Sequence, residues 1–140
     1  MSSEQNKANV RRIFEEGINK ADLDVLRGIL APNYVNHNLP APAPGPEGFA
    51  QVVGMFTQAF PDFQVTVESV VGEGDMVASR GRFTGTHRGD FMGIPATGRS
   101  IDAGYHDLWR IEGGKCVENW VILDMMGLMQ QLGVMPAPGQ

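Results

Sequence analysis

The segment Gly85-Thr86-His87-Arg88-Gly89-Asp90-Phe91-Met92-Gly93-Ile94-Pro95 separates two long runs in which apolar and polar residues alternate. A period of two is typical of a β-strand with one buried face. The first run covers residues 76–86, and the second begins at Thr97 or Ser100 and continues to Ile111. A tight turn at residues 113–114 leads into a further strand, from 115 to about 124. The segment therefore lies within a predicted antiparallel meander.

A fourth strand comes earlier, because residues 63–71 alternate before a turn at residues 72–75. Upstream of it the apolar residues recur at helical spacing. We predict a helix over about 5–19, a short helix capped by Asp22 and stopped by Pro32, and a third helix that has Pro46 in its first turn and ends at Pro61. Helices followed by strands predict an α+β fold, with helices packed on a curved, mainly antiparallel sheet around one cavity.

The remaining segments connect or close these elements. Residues 34–37 form a short extended piece, and the Pro- and Ala-rich residues 39–46 are expected to be a surface loop, placed as a lid at the cavity mouth. Residues 127–132 predict a short closing helix, and residues 136–139 a frayed end. Bends or bulges are expected at the strand glycines, which are Gly81, Gly85 and Gly104.

Length and composition limit the classes of function. At 140 residues the chain is expected to be a single domain, 1–140. A net charge of −5 argues against nucleic acid or an anionic membrane as partner. A single cysteine, Cys116, excludes an intramolecular disulfide, and we expect it to be a buried core residue. The polar N-terminus lacks a signal peptide, and no apolar run is long enough to cross a bilayer, so we expect a cytoplasmic protein.

A two-residue turn at 113–114 fixes the pairing of the last two strands. The numbers of paired residues then add up to 227, and cross-strand partners share a face of the sheet. This register pairs Asp107 with Trp120, Trp109 with Glu118, Tyr105 with Ile122, and Ala103 with Asp124. The opposite face would carry His106. A single bulge would move Asp124 or His106 across the sheet.

The acids and the histidine on these strands are the candidate catalytic residues. Asp107 in an apolar cavity would have a raised pKa suited to acid–base catalysis, or it would simply pair with an arginine, Arg80, Arg82 or Arg110. Asp124 would assist, or it would cap the closing helix. His106 would orient an acid or bind a carbonyl, or it would be a core or interface histidine.

Aromatic residues near these acids are the candidate ligand-binding residues. Taken singly, each of Trp109, Trp120, Tyr105 and Phe83 is better explained by core packing. Together, and beside acids, these residues indicate a cavity lining for a flat ring. Glu118 lies on the same predicted face. His37 and Tyr34 would reach the cavity rim, or they would belong to a surface turn. The histidines lack the spacing of metal ligands, so no metal is expected, and residues 87–90 are expected to form a loop.

The chain resembles the SnoaL-like polyketide cyclases in two segments, residues 85–99 and 108–120, and in the tail at 127–133. The resemblance implies a cone-shaped α+β barrel shared with nuclear transport factor 2, ketosteroid isomerase and limonene epoxide hydrolase. It also implies cofactor-free chemistry and pairing of two copies into a homodimer through the convex face of the sheet. The acid–base Asp of this family aligns with Val121, and its substrate-binding His aligns with Asp107.

Three functions are compatible with this sequence. The first is acid–base transformation of a nonpolar cyclic molecule by aldol closure, isomerisation or hydration. The second is a non-catalytic binding module of the same fold, which the valine at position 121 favours. The third is an epoxide hydrolase, which needs an Asp-Arg-Asp set drawn from the arginines named above and from Asp102, Asp107 and Asp124.

Overall fold

The computed structural model of the protein describes residues 2–136, which form helices on one side of a five-stranded sheet. The helices are α1 (Ser3–Arg12), α2 (Leu23–Ile29), α3 (Gly45–Ala59) and α4 (Met125–Gln131). The strands are β1 (Leu30–Asn36), β2 (Gln64–Glu73), β3 (Met76–Thr86), β4 (Ser100–Glu112) and β5 (Lys115–Leu123). The predicted α+β class is confirmed. Most of the predicted frayed end, residues 136–139, lies outside the described residues.

Each of the first three helices begins where the sequence supplies a start signal. The Ser2 hydroxyl accepts a hydrogen bond from the Gln5 N–H at α1. Asp22 does the same for the Val25 N–H at α2, as predicted. Pro46 lies in the first turn of α3, where its missing N–H costs nothing. Side-chain caps and proline thus determine the helix starts locally.

The first helix is less regular than its periodicity predicts. After α1 the chain continues as a π-helical segment, Ile13–Ile18. Within it, Gly17 packs directly against α2, because a Cβ at this position would lie 2.4 Å from Leu26 Cδ2. The glycine therefore allows the close contact between the two elements.

The sheet has the strand order β1-β5-β4-β3-β2, and its two edge strands do not pair with each other. Strands β2 to β5 form the predicted antiparallel meander. Strand β1 extends it by pairing in parallel with β5, whereas the sequence indicated only a short extended piece at 34–37. The sheet is therefore mixed and open. The missed strand owes its pairing to residues more than 80 positions away in the chain, which local pattern does not reveal.

The predicted register of β4 and β5 is correct only next to the turn. Gly113 and Gly114 both have positive φ, at 59° and 81°, as a two-residue hairpin turn requires. Ile111 pairs with Cys116 as predicted, but Arg110 pairs with Glu118, so Val117 is an extra residue that forms a bulge. Beyond it the partners of Asp107 and Trp109 are Val121 and Asn119.

This bulge exchanges the two faces of β5. Asn119 and Val121 now face the same side as Asp107 and Trp109, because paired residues share a face. The predicted pairs of Asp107 with Trp120, Trp109 with Glu118, Tyr105 with Ile122, and Ala103 with Asp124 are wrong for this reason. The register of β2 and β3 also shifts, between Val67 and Ser69, next to Gly81, where a bulge was expected.

The inner face of the sheet and the helices enclose the hydrophobic core. Fully buried side chains come from both layers, and the largest are Trp109, Phe60, Ile13, Leu26, Leu30, Leu128 and Leu132. Cys116 is buried among them, as predicted. Every helix in residues 2–136 is too short or too polar to cross a lipid bilayer.

The connection between β3 and β4 contains a histidine whose environment the sequence did not indicate. Residues 87–90 form the predicted loop, yet His87 is fully buried. Its Nδ1 accepts a hydrogen bond from the Thr97 N–H, and its ring packs 5.4 Å from the ring of Phe60. His87 therefore fixes this loop against the core, away from the cavity described below.

Candidate functional site

A cavity of about 370 Å³ lies between the inner face of the sheet, α3 and the Pro-rich loop. Its walls are mainly apolar. The helical part of the lining consists of Phe14, Ile18, Phe49, Val52, Val53 and Phe56. The strands contribute Val65, Phe83, Val121 and Leu123. A cavity of this size and character is suited to a small organic molecule.

Residues 39–45 form one wall of the cavity, and both ends of this loop are held in place. At the first end, the Asn38 side chain accepts a hydrogen bond of 2.8 Å from the Val121 N–H on β5. At the second end, Gly45 has a φ of +74° and packs against Pro32, where a Cβ would lie 2.5 Å from the carbonyl oxygen. The loop predicted to lie at the cavity mouth is therefore part of the cavity wall.

Asp107 is the only carboxyl group among the described residues that line the cavity. Its side chain lies on the inner face of β4 and is 8% exposed. Oδ1 accepts hydrogen bonds from the backbone N–H of Ser79 at 3.1 Å and from its hydroxyl at 2.5 Å. Oδ2 has no hydrogen-bond partner in the described part of the chain. The carboxyl group is thus held at one oxygen and free at the other.

Burial raises the pKa of Asp107 from 3.8 to about 6, because desolvation disfavours the charged form. The two hydrogen bonds from Ser79 and the nearby indole N–H of Trp109 act in the opposite direction and limit the rise. A carboxyl group with a pKa near 6 can both accept and donate a proton near neutral pH.

Two tyrosine hydroxyls and an amide add polar groups to the same part of the cavity. Tyr34 donates a hydrogen bond of 2.5 Å to Asn119 Oδ1, and the Tyr105 hydroxyl lies 3.4 Å from Ser79 Oγ. Burial raises the pKa of Tyr34 above its usual range and that of Tyr105 to about 12, so both stay protonated. Of the three titratable groups in this cluster, Asp107 is therefore the one whose pKa lies near neutral pH.

The candidate ligand-binding residues divide between the two faces. Tyr34, Phe83, Tyr105 and Trp109 line the cavity. Trp120 and Glu118 lie on the outer face because of the bulge at Val117. His37 stacks on Trp120 with ring centroids 5.0 Å apart and contacts Glu118 Oε1 at 2.7 Å. This His37 contact and the hydrogen bond from Arg110 lower the pKa of Glu118.

The structure does not bring the three candidate catalytic residues together. His106 is exposed on the outer face, since it follows the alternation of β4 one residue before Asp107. Asp124 Oδ1 accepts a hydrogen bond of 2.9 Å from the Gly127 N–H and caps α4, which is the alternative role that the sequence left open. Neither residue lines the cavity.

The arginines that an epoxide hydrolase would need also lie away from the cavity. Arg80, Arg82 and Arg110 form ion pairs with Glu68, Asp102 and Glu118, respectively. All three arginine side chains are exposed or half-exposed. The described residues of the cavity therefore contain no Asp-Arg-Asp set.

Sequence reasoning missed two polar residues of the site. Ser79 is not among the residues that the sequence indicated, although the pairing of β3 with β4 places it directly opposite Asp107. In the predicted register Asn119 would lie on the same face as His106, and the bulge that turns it inward was not predicted. The one signal in the sequence for Ser79 is that a serine interrupts the otherwise apolar inner face of β3.

Comparison with known proteins agrees with this architecture. The family model described as SnoaL-like polyketide cyclase matches residues 8–132. The chain belongs to the SnoaL-like polyketide cyclase family. It is 32% identical over 111 residues to the aklanonic acid methyl ester cyclase DauD of Streptomyces sp. (strain C5), covering 78% of this chain and 67% of DauD.

Solved structures of other proteins share the fold of this SnoaL-like protein. TsrD from Streptomyces laurentii superposes with a TM-score of 0.87 at 28% identity, covering 96% of this chain and 99% of TsrD. IdmH from Streptomyces antibioticus superposes with a TM-score of 0.80 at 34% identity, covering 93% of this chain and 99% of IdmH. Together with the cyclase relatives, these matches support a function of the polyketide cyclase type.

Proposed function

We propose that this SnoaL-like protein binds a nonpolar, cyclic polyketide in its cavity and closes a further ring by acid–base chemistry at Asp107, without a cofactor. The observation that carries the proposal is the buried carboxyl group with a pKa of about 6 and a free Oδ2, in a cavity that is otherwise apolar. The proposal depends on Asp107 alone, because Asp124 and His106 lie outside the cavity.

The chemistry is an intramolecular aldol reaction. Asp107, as the carboxylate, removes a proton from a carbon next to a carbonyl group and becomes a carboxylic acid. The resulting enolate attacks a second carbonyl carbon of the same molecule, which forms the carbon–carbon bond and leaves an alkoxide. Asp107 then returns the proton to the alkoxide oxygen, so the charge and the proton count balance. The apolar walls favour the folded substrate in which the two carbons are close.

The position of Val121 supports this role for Asp107. The acid–base Asp of the family aligns with Val121, and in this structure Val121 is the direct cross-strand neighbour of Asp107. Both side chains line the cavity. A carboxyl group on either strand would therefore reach the same space.

The test is turnover of aklanonic acid methyl ester, the compound named for DauD, by Asp107→Asn. We expect a loss in kcat of about 10²- to 10⁴-fold with ligand binding retained. His106→Asn is the matched control, since it changes the neighbouring residue on the outer face and should keep full activity. Full activity of Asp107→Asn would contradict the mechanism.

A non-catalytic binding module is the second candidate, and the valine at position 121 favours it. In that case the unaltered protein would bind the methyl ester in the cavity but leave it unchanged over long incubation. Asp107→Asn would then alter affinity only.

We also propose that two copies associate through the outer face of the sheet. This face carries exposed apolar side chains, which are Val71 (64% exposed), Leu108 (37%), Trp120 (36%) and Ile122 (67%). On β4 and β5, Leu108 pairs with Trp120 and His106 with Ile122. Trp120 and Ile122 are therefore neighbours in one apolar patch on the outer face. Arginine–glutamate ion pairs flank this patch, so it carries both positive and negative charges at its edge. The same patch on a second copy can therefore pair with it, apolar centre to apolar centre and charge to opposite charge.

A further inference from the structure

One buried polar atom at the site lacks a partner. Trp109 is 1% exposed, and its Nε1 makes no hydrogen bond in the described part of the chain. A buried donor without an acceptor costs free energy, so such atoms call for an explanation. The indole ring is otherwise well packed, with Tyr34 stacked on it at 6.0 Å between ring centroids and Phe14 edge-on at 6.1 Å.

An acceptor without a partner lies beside this donor. Trp109 and Asp107 are two positions apart on β4, so both side chains project from its inner face. Ser79 donates two hydrogen bonds to Oδ1 of Asp107, whereas Oδ2 accepts none from any residue that the structure describes. The indole N–H is close enough to Asp107 to lower the pKa of the carboxyl group, yet it is outside hydrogen-bond geometry.

Among residues 2–136, Asp107 is the only group in this environment whose pKa lies near neutral pH. The titratable groups that face it are Tyr34 on β1, Tyr105 on β4 and Cys116 on β5. Burial raises the pKa of Tyr34 above its usual range, and those of Tyr105 and Cys116 to about 12, so all three stay neutral. Ser79, on β3, does not titrate.

We propose that Trp109 is a positioning residue for Asp107: its indole N–H closes a hydrogen bond to the carboxylate when Asp107 ionises and releases it when Asp107 is protonated. A hydrogen bond to a carboxylate is stronger than one to a neutral acid, so the contact favours the ionised form. The consequence for catalysis depends on the proposed function, because only a base needs that form near neutral pH. The hydrogen bond itself can be tested without a substrate.

The experiment is a pH titration by NMR. The chain has two tryptophans, so an indole ¹H–¹⁵N spectrum contains two signals, and Trp120→Phe assigns them. We expect the Trp109 signal to move through the pH range in which the Asp107 ¹³C carboxyl signal titrates, and to stay fixed in Asp107→Asn. The signal of the exposed Trp120 should not follow Asp107. A Trp109 signal that ignores the ionisation of Asp107 overturns the proposal.

Removal of the donor gives the second measurement. Replacing Trp109 by β-(3-benzothienyl)alanine keeps the ring shape but substitutes sulfur for N–H, which avoids the cavity that Trp109→Phe would leave. We expect Asp107 to become about two- to tenfold weaker as an acid, the equivalent of one net hydrogen bond. The same replacement at Trp120 should leave its titration unchanged. An unaltered Asp107 titration in the folded Trp109 variant overturns the proposal.

These results are separable from the proposed enzyme activity. If the titrations behave as expected but the methyl ester is not converted, the positioning role stands and the cyclase proposal fails. If the protein is active and the Asp107 titration does not depend on Trp109, the reverse holds. In an active enzyme, the donor-free variant should also shift the acidic limb of kcat/KM to higher pH.

Discussion

At the residue level, burial of Asp107 gives the carboxyl group the pKa that the proposed chemistry needs, and it also costs stability. In the unfolded chain this carboxyl group loses its proton near pH 3.8, whereas in the folded protein burial raises its pKa to about 6. Between these values the folded state holds a proton that the unfolded state has released. The free energy of unfolding therefore falls as the pH rises from about 4 to about 6, and above about pH 6 the loss is complete.

Asp107→Asn should remove this cost. The difference between the two pKa values corresponds to about 3 kcal/mol at most. We expect the variant to be more stable than the unaltered protein at pH 8 and equally stable at pH 4. Denaturant unfolding at the two pH values measures this difference, and an equal gain at both would contradict it.

Asp62 provides a control of opposite sign. Its pKa is lowered, because the Thr86 N–H and hydroxyl donate hydrogen bonds to the carboxylate. Its contribution to stability is therefore present above the unfolded pKa and is lost as the pH falls. Asp62→Asn should weaken the protein at pH 8 and have less effect at low pH.

At the scale of secondary-structure elements, the bulge in β5 decides which side chains reach the cavity. Val117 has no partner on β4, so every later residue of β5 changes face relative to a regular hairpin. Asn119 and Val121 are inside, and Trp120 and Ile122 are outside. Because side chains alternate along the strand, Val121 faces the cavity and its neighbour Ile122 faces solvent. Substitutions at these two positions can therefore be compared as a test and its control.

A carboxyl group moved to Val121 should restore part of the activity lost in Asp107→Asn. The two positions are cross-strand neighbours that share the cavity, so Asp107→Asn with Val121→Asp keeps one carboxyl group near the substrate. We expect at least a tenfold recovery over the single variant in turnover of the methyl ester, about 1.4 kcal/mol in barrier. Asp107→Asn with Ile122→Asp is the control and should show no recovery.

Asp124 caps α4, so we expect it to stabilise this helix and to take no part in the proposed turnover. Its carboxylate caps the helix through the Gly127 N–H, as Asp22 caps α2 through the Val25 N–H. Asp124→Ala should cost about 1 kcal/mol of unfolding free energy and leave kcat unchanged, and Asp22→Ala should behave in the same way. A loss of kcat in Asp124→Ala without loss of stability would contradict the capping role.

At the scale of the whole molecule, the exposed outer face predicts the state of association. Ile122→Asp places a charge in the apolar patch and should convert a dimer to a monomer, with the Asp107 cavity unaffected. Met92→Asp is the control, since Met92 is 68% exposed but lies in the loop between β3 and β4. Sedimentation velocity measures the change, and a monomeric unaltered protein would rule out the proposed pairing.

Features of this protein that depend on neighbouring residues could be predicted from the amino-acid sequence. The helix caps, the proline in the first turn of α3, the alternation in β3 and β4, and the glycine turn at 113–114 each act over a few positions. These local preferences were sufficient to predict the α+β class and to place Asp107 on the same face as Trp109 and Tyr105. The resemblance of the quoted segments to the SnoaL-like cyclases was likewise visible in the residues.

The parallel pairing of β1 with β5 and the bulge at Val117 could not be predicted in this way, because they form only when the whole chain folds. Both depend on contacts between distant segments. Leu30 and Tyr34 on β1 are buried against the sheet, and the inward-facing Asn119 accepts a hydrogen bond from the Tyr34 hydroxyl. A shift of one residue exchanges the faces of a strand, and nothing within the strand itself selects between the two registers. The outward position of Trp120 and Glu118 was therefore not predictable from β5 alone, because the free energy that fixes it comes from burial and hydrogen bonds made elsewhere in the chain.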